Sequence, residues 1–259
     1  MNSVHNAGIV VTGGGSGIGA ALARRFADEG ARVVVNDINA GATSAVAASC
    51  GATAVPGDCS TADGVEALIG KARQALGEID IYCANAGIVR SGGPEAPDPD
   101  WDASWQVNVM AHVRAARLLL DPWLARGSGH LICTVSAAGL LAMPGTASYS
   151  VTKHAALAFA EWMALTYSHR GLTVQAICPQ GVRTGMLDGT DPRAELVLGD
   201  SVITPEAVAD AVLKGIADGR FLILPHPEVA AMYAGRAAET DRWLRGMNKI
   251  QRRIEDAIP

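Results

Sequence analysis

The chain has 259 residues, 49% hydrophobic and 18% charged, which excludes a charge-driven disordered protein and supplies enough apolar material for one large core. Its formal net charge is −5, with 21 Lys and Arg against 26 Asp and Glu and no long block of either sign, so it has no basic stripe to displace counterions and no nucleic-acid partner is expected. No apolar run reaches the roughly 18 residues that cross a bilayer, and MNSVHNAGIVV has no basic segment ahead of its apolar stretch, so neither a membrane partner nor a secretory leader is expected and the expected location is the cytoplasm.

In chain order, short β-branched apolar runs alternate with longer stretches of helical periodicity. The first run, Ile9–Thr12, leads into a glycine-rich turn and then the helical segment AALARRFADEG. Further runs follow at Arg32–Asn36, Ala52–Pro56 and Ile79–Ala84. The turn-rich segment Ser91–Asp100 reads as a loop entering a helix at about Asp102. His130–Val135 and Leu172–Cys178 form the fifth and sixth runs, and Gly185–Ile203 shows little periodicity. Thr204-Pro205-Glu206 reads as a helix start, Phe221–Leu224 is the seventh run, and residues 227–256 look helical. Continuous apolar strands between helices predict an α/β fold, one doubly wound domain over residues 1–259 with about seven parallel strands and helices on both faces. In such a sheet ligands bind beyond the carboxyl ends of the strands, so chemistry is sought just after each run.

The five cysteines are far apart and include no CxxC pair, which fits reduced thiols rather than a disulfide frame. The six histidines show no HxxxH or HxH spacing, so no metal site is expected.

After the first run stands Thr12-Gly13-Gly14-Gly15-Ser16-Gly17-Ile18-Gly19, between strand and helix. Glycines there let a pyrophosphate approach the backbone, and the N–H groups and dipole at the helix start favour its charge. Gly13, Ser16, Gly17, Ile18 and Gly19 are therefore candidate cofactor contacts. Asp37 ends the second run 18 residues after Gly19, near the spacing at which a carboxylate accepts from adenosine ribose hydroxyls. A carboxylate there repels a 2′-phosphate, and no Lys or Arg in the turn or just after Asp37 offsets it, so NAD is expected over NADP.

Tyr149 and Lys153 are four apart in a helical segment, on one face and one turn from each other. Thirteen residues upstream, the fifth run ends in Thr134-Val135-Ser136. With TGGGSGIG at Thr12–Gly19, ANAG at Ala84–Gly87, Asn108, and Pro179 through Thr184, these motifs fall in one order over nearly the whole chain, and the sequence resembles the short-chain dehydrogenase/reductase family, whose domain is Rossmann-type.

The resemblance implies that Tyr149 exchanges a proton with the substrate oxygen, that Lys153 lowers the tyrosine pKa and binds the nicotinamide ribose, and that Ser136 hydrogen-bonds the substrate oxygen. Asn108 would hold a water for proton relay, or else be a helix-interior polar group satisfied locally. Asp58 and the adjoining Cys59 match the position that assists adenine binding; Asn85 and Gly87 belong to ANAG, with Asn85 mainly bracing the sheet. Pro179, Val182 and Thr184 would meet the nicotinamide. Gln180 departs from the family's usual glycine, and either lines the substrate pocket or leaves the backbone demand to Gly181. Ile88, Leu141, Met143, Gln180, Met186 and Leu187 are placed around the nicotinamide, a mostly apolar set that favours a hydrophobic or cyclic substrate. Residues 185–203 are expected to act as a lid.

The implied activity is NAD-dependent interconversion of a secondary alcohol and a ketone. A silent nucleotide-sensing or scaffold member is the alternative, but it should have lost part of the Asn108, Ser136, Tyr149, Lys153 set. An extended-type sugar epimerase would need a larger domain than the 106 residues after Lys153. Apolar residues on several faces of the helices around 102–126 and 149–170, among them Trp105, Met110, Phe159, Trp162 and Met163, predict a homotetramer, with a dimer next.

Overall fold

The segment Gly8–Thr12 carries no polar side chain before its last residue, and all five residues are buried. Burial on both faces is what a strand inside a helix-covered sheet needs. In the computed structural model, which describes residues 3–188 and 201–257, this strand, β1, is followed by β2 (Arg32–Asn36), β3 (Thr53–Ala54), β4 (Ile81–Ala84), β5 (Gly129–Thr134), β6 (Leu172–Ile177) and β7 (Leu222–Ile223). They form one sheet in the order β3-β2-β1-β4-β5-β6-β7, with every pairing parallel.

The helices are α1 (Gly17–Asp28), α2 (Ala40–Cys50), α3 (Ala62–Leu76), α4 (Asp98–Trp105), α5 (Ala111–Arg126), α6 (Ala138–Leu141), α7 (Ala147–Tyr167), α8 (Gly185–Asp188), α9 (Pro205–Asp218), α10 (Glu228–Ala238) and α11 (Thr240–Ala257). Alternation along each strand divides the core in two. Val10, Val34, Tyr82 and Leu131 pack with residues of α3, α5 and α7, while Ile9, Val11, Val35 and Ile132 pack with residues of α1 and α9. The strand order reverses between β1 and β4, and the crevice opened there at the carboxyl ends is where a ligand fits.

Three elements differ notably from the sequence reading, the other strands shifting by two residues or fewer at an end. β3 and β7 are two residues each, shorter than expected, because each lies at an edge and pairs on one side only. Helix α4 begins at Asp98 rather than about Asp102: Pro99 sits in its first turn, where no N–H is needed, and Asp98 and Asp100 face the positive end of its dipole. Composition that reads as a turn is here a helix start. Met163 is 2% exposed and belongs to the core, and Phe159 packs against it, so neither presents an outer face; Trp105, Val151, Trp162 and Leu165 are exposed. Thr204 caps α9 as expected, its hydroxyl accepting from Ala207 N at 3.3 Å. The segment 185–203 falls largely outside the described residues. Its ends are α8 and a pair of bonds, Arg183 N to Ile203 O at 2.9 Å and Ile203 N to Gly181 O at 3.1 Å. No helix among the described residues is long and apolar enough to cross a membrane.

Candidate active site

The glycine turn after β1 is built for close approach. Gly13 has φ of 61°, and a Cβ on it would lie 2.8 Å from Ala86 Cα; a Cβ on Gly19 would lie 2.1 Å from Gly13 O. Gly13, Ser16, Gly17, Ile18 and Gly19 line a cavity of about 800 Å³ that continues past Asp37 on one side and past Ser136, Tyr149 and Lys153 on the other. Asp37 is held at the end of β2 by two backbone donors, Gly15 N at 3.1 Å and Asn39 N at 3.0 Å. Each carboxylate oxygen keeps a lone pair for a further donor.

Asn85 ties the strand ends together. Its Nδ2 donates to Thr12 O at 2.9 Å, and its Oδ1 accepts from Thr134 Oγ1 at 2.9 Å, so one side chain bridges β1 and β5. Gly87 also lines the cavity, and a Cβ there would stand 3.3 Å from both Asn108 Oδ1 and Lys153 Nζ. Asp58 and Cys59 are not brought to the cavity lining. Cys59 is buried in the core, and burial pushes its thiol up to about 12; Asp58 is exposed and accepts from Ser60 N at 2.8 Å.

The groups expected to react stand two residues past the end of β5 and in the first two turns of α7. Ser136 has φ of 84°, a left-handed conformation that a non-glycine residue holds only where its surroundings fix it. Its backbone N–H bonds Ile177 O at 3.0 Å, and its Oγ accepts from Ala138 N at 3.2 Å. Burial raises the Tyr149 hydroxyl above its ordinary value, and a side-chain hydrogen bond with Ser136 pulls it part-way back. The expected lowering by Lys153 is not what dominates here. Lys153 is 2% exposed, donates to Thr134 O at 2.8 Å, and lies 5.6 Å from the Tyr149 ring centroid. Burial brings its ammonium down to about 8.

Asn108 sits in a π-helical turn, Gln106–Met110, between α4 and α5. Its Oδ1 accepts from Ile88 N at 2.9 Å, and its Nδ2 donates to Ile88 O at 3.0 Å and Thr152 Oγ1 at 3.1 Å. Both amide hydrogens are spent, which is the locally satisfied arrangement, and the side chain braces the β4 loop against α7.

Pro179, Val182 and Thr184 line the same cavity as Ser136, Tyr149 and Lys153, as do Leu141, Met143, Gln180 and Met186. One expected pocket residue, Ile88, does not join them. Ile88 is held through its backbone by Asn108, and its neighbour Val89 lines the cavity instead. The side chain of Leu187 lies outside the described residues. Gln180 follows the first of its two expectations: its side chain turns into the cavity, with Nε2 3.7 Å from Met232 Sδ, while its backbone N–H donates to His226 Nδ1 at 3.1 Å.

Sequence reasoning missed the far wall, supplied by Met232 and Gly235 of α10 and by Trp243, Gly246, Met247 and Ile250 of α11. Spacings of three and four put them on one face, a signal present in the sequence but not used. Arg236 fixes this wall: it donates to Leu140 O on α6, bonds His154 Nε2 at 2.9 Å on α7, and lies 5.1 Å over the Trp243 ring. Among the described residues no group of His, Cys, Asp and Glu could hold a metal ion.

The family model described as short chain dehydrogenase matches residues 7–195. The chain is 37% identical over 229 residues to 1-deoxy-11-beta-hydroxypentalenate dehydrogenase of Streptomyces exfoliatus, spanning 85% of this chain and 82% of that one. It is 33% identical over 220 residues to epidermal retinol dehydrogenase 2 of Mus musculus, spanning 80% and 71%. Among solved structures, a short chain dehydrogenase/reductase from Burkholderia phymatum in complex with NAD aligns with a TM-score of 0.83 at 28% identity, covering 93% of this chain and 96% of that one. The glycine turn, the Ser136, Tyr149 and Lys153 cluster and the extent of these matches lead to one assignment: the chain belongs to the short-chain dehydrogenase family.

Proposed function

We propose that the protein is an NAD-dependent oxidoreductase that interconverts a secondary alcohol and a ketone, acting on a hydrophobic, cyclic substrate. The observation that carries this is one continuous cavity with Asp37 and the glycine turn at one end, Ser136, Tyr149 and Lys153 in the middle, and an apolar wall at the other. The backbone at Gly13 and Gly19 fits a pyrophosphate, since a Cβ at either would clash. Asp37 would take the adenosine ribose hydroxyls, and Lys153 and Thr184 the nicotinamide half. When bound, the cofactor supplies the acceptor or donor of hydride.

The chain's own work is proton transfer and orientation. In the oxidation direction Tyr149 Oη takes the proton from the substrate hydroxyl as the carbinol carbon loses hydride, and in reduction it returns that proton to the oxygen. Ser136 Oγ, which in the free protein donates to Pro179 O at 3.4 Å, would turn its one proton to the same oxygen and orient it. Against burial, which raises the Tyr149 hydroxyl, the Lys153 ammonium would favour the phenolate by its charge. Met143, Met186 and Met232 give the substrate end apolar, adaptable contacts. The pentalenate and retinol relatives, both named as dehydrogenases, support a hydrophobic substrate. Oxidation of a panel of secondary alcohols with NAD, followed by NADH absorbance, tests this reading; efficient turnover of sugars and polyols with none of cyclic or alkyl alcohols overturns it.

We also place the protein in the cytoplasm, on its free and mostly buried cysteines, and assign it a homotetramer. Exposed Trp105 on α4 and Val151, Trp162 and Leu165 on α7 support assembly, with Leu165 75% exposed.

A further inference from the structure

We infer that two helix-interior glycines, Gly235 and Gly246, are size gates that leave room for a fused-ring or similarly bulky apolar group on the substrate. This rests on the alcohol–ketone reading above and extends it to the shape of the substrate beyond its reacting carbon.

Glycine weakens a helix interior relative to alanine, so its presence there calls for a structural reason. The usual reasons are a left-handed backbone or a close neighbour, as at Gly13 and Gly19. Neither applies here. Gly235 lies within α10 and Gly246 within α11, neither has a positive φ, and a Cβ built on either meets nothing within 4 Å. Both face the same cavity. Both glycines are exposed, so the space their missing side chains leave is at the open, solvent-facing end of that cavity.

That end is shaped for an apolar body. Met232, Trp243, Met247 and Ile250, three or four residues from one or the other glycine or next to it in sequence, line the cavity with them, as do Leu141 and Met143. The charged lining residues of these helices, Glu239 and Arg242, are paired with each other at 3.3 Å and are largely exposed, so neither is left over to hold a charged substrate inside. Arg236 anchors α10 to α6 and α7 and braces Trp243, so the wall has a fixed position relative to Tyr149. A small alcohol leaves this volume unfilled and forgoes the apolar burial that a two-ring substrate obtains.

The test fills the space. Gly246→Leu and Gly235→Leu add a side chain where nothing stands within 4 Å and remove a helix-weakening residue, so each variant folds with a Tm at or above that of the unmodified protein. The unmodified enzyme prefers 2-decalol, a bicyclic secondary alcohol, to 2-butanol, and each leucine lowers the ratio of kcat/KM for 2-decalol over 2-butanol by about tenfold or more. An unchanged ratio in well-folded variants overturns the inference, as does a preference of the unmodified enzyme for 2-butanol. Calorimetry of 2-decalol with the enzyme–NADH complex separates the two levels. If the enzyme oxidises neither alcohol, the alcohol–ketone reading fails, while binding of 2-decalol that weakens about tenfold in the leucine variants still upholds the size gate. Binding that is absent, or equal in all three proteins, overturns it.

Discussion

Acid should destabilise this protein through two buried histidines, and the effect can be isolated by changing one of them. His112 on α5 is 1% exposed, and neither ring nitrogen has a protein partner among the described residues. His130 on β5 is 2% exposed and pairs through Nε2 with Gln175 Oε1 at 2.9 Å, leaving Nδ1 unpartnered. Burial lowers His112 from 6.5 to about 3 and His130 from 6.5 to about 4, with the nearby Lys153 ammonium adding to the first. Between these folded values and 6.5 the unfolded chain binds more protons than the folded one, so stability falls as pH drops through that window and is level above it. From pH 7 to pH 5 each histidine removes about 2 kcal/mol, about 4 kcal/mol together, a large share of a typical folding free energy. In His112→Leu the unpartnered nitrogens are gone, and an apolar side chain of similar size suits the site. Its loss over the same pH range should be smaller than that of the unmodified protein by about 2 kcal/mol, because all other titrating groups contribute equally to both proteins. Urea unfolding followed by far-UV circular dichroism at pH 7 and pH 5, at one protein concentration, measures the difference. If His112→Leu loses as much stability as the unmodified protein, His112 is not held neutral by burial and the argument fails.

Tyr149→Phe removes the proton-transferring hydroxyl and its Ser136 bond while leaving the ring in place, so kcat should fall by about a hundredfold or more with NADH affinity within a few fold. Stopped-flow turnover and NADH fluorescence titration measure both, and activity above about a tenth of the unmodified level would count against the proton-transfer role. Asp37→Ala removes the carboxylate that faces the ribose end of the cavity and should narrow the preference for NAD over NADP in kcat/KM; equal use of both cofactors by the unmodified protein refutes the reading. Light scattering at micromolar concentration should report a tetramer that Leu165→Asp shifts toward smaller species, since a charge on a face 75% exposed in the single chain is tolerated by the fold and not by an apolar contact. A monomer in the unmodified protein ends that proposal.

The parts of the site that sequence alone determined are those whose chemistry is local. A pyrophosphate-binding turn needs glycines at close spacing, and Gly19 is required by the Gly13 carbonyl within the same turn, although Gly13 itself meets Ala86 from just past the end of β4. Tyr149 and Lys153 stand one turn apart by helical geometry, whatever else surrounds them. Asp37 is legible because it ends a strand whose continuous apolar run marks it as central. The sheet was readable for the same reason, as in β1 and β2, where burial on both faces leaves an unbroken run.

Tertiary packing decided the rest. The short β3 and β7 are set by having one neighbour rather than two, which no run of residues encodes. Lys153 spends one of its three N–H donors on Thr134 O, and the Tyr149 hydroxyl answers first to burial and then to Ser136, because burial and distance belong to the assembled site. Cys59 turns into the core rather than the cavity for the same reason. The far wall is the clearest case. Its stripe on α10 and α11 follows Lys153 by about eighty residues or more, and Arg236 can bond Leu140 O and His154 only because the folded sheet holds α6 and α7 against it. Spacing along the chain specifies which side chains share a helix face; which face meets which cavity is fixed by the burial of apolar area across the whole fold.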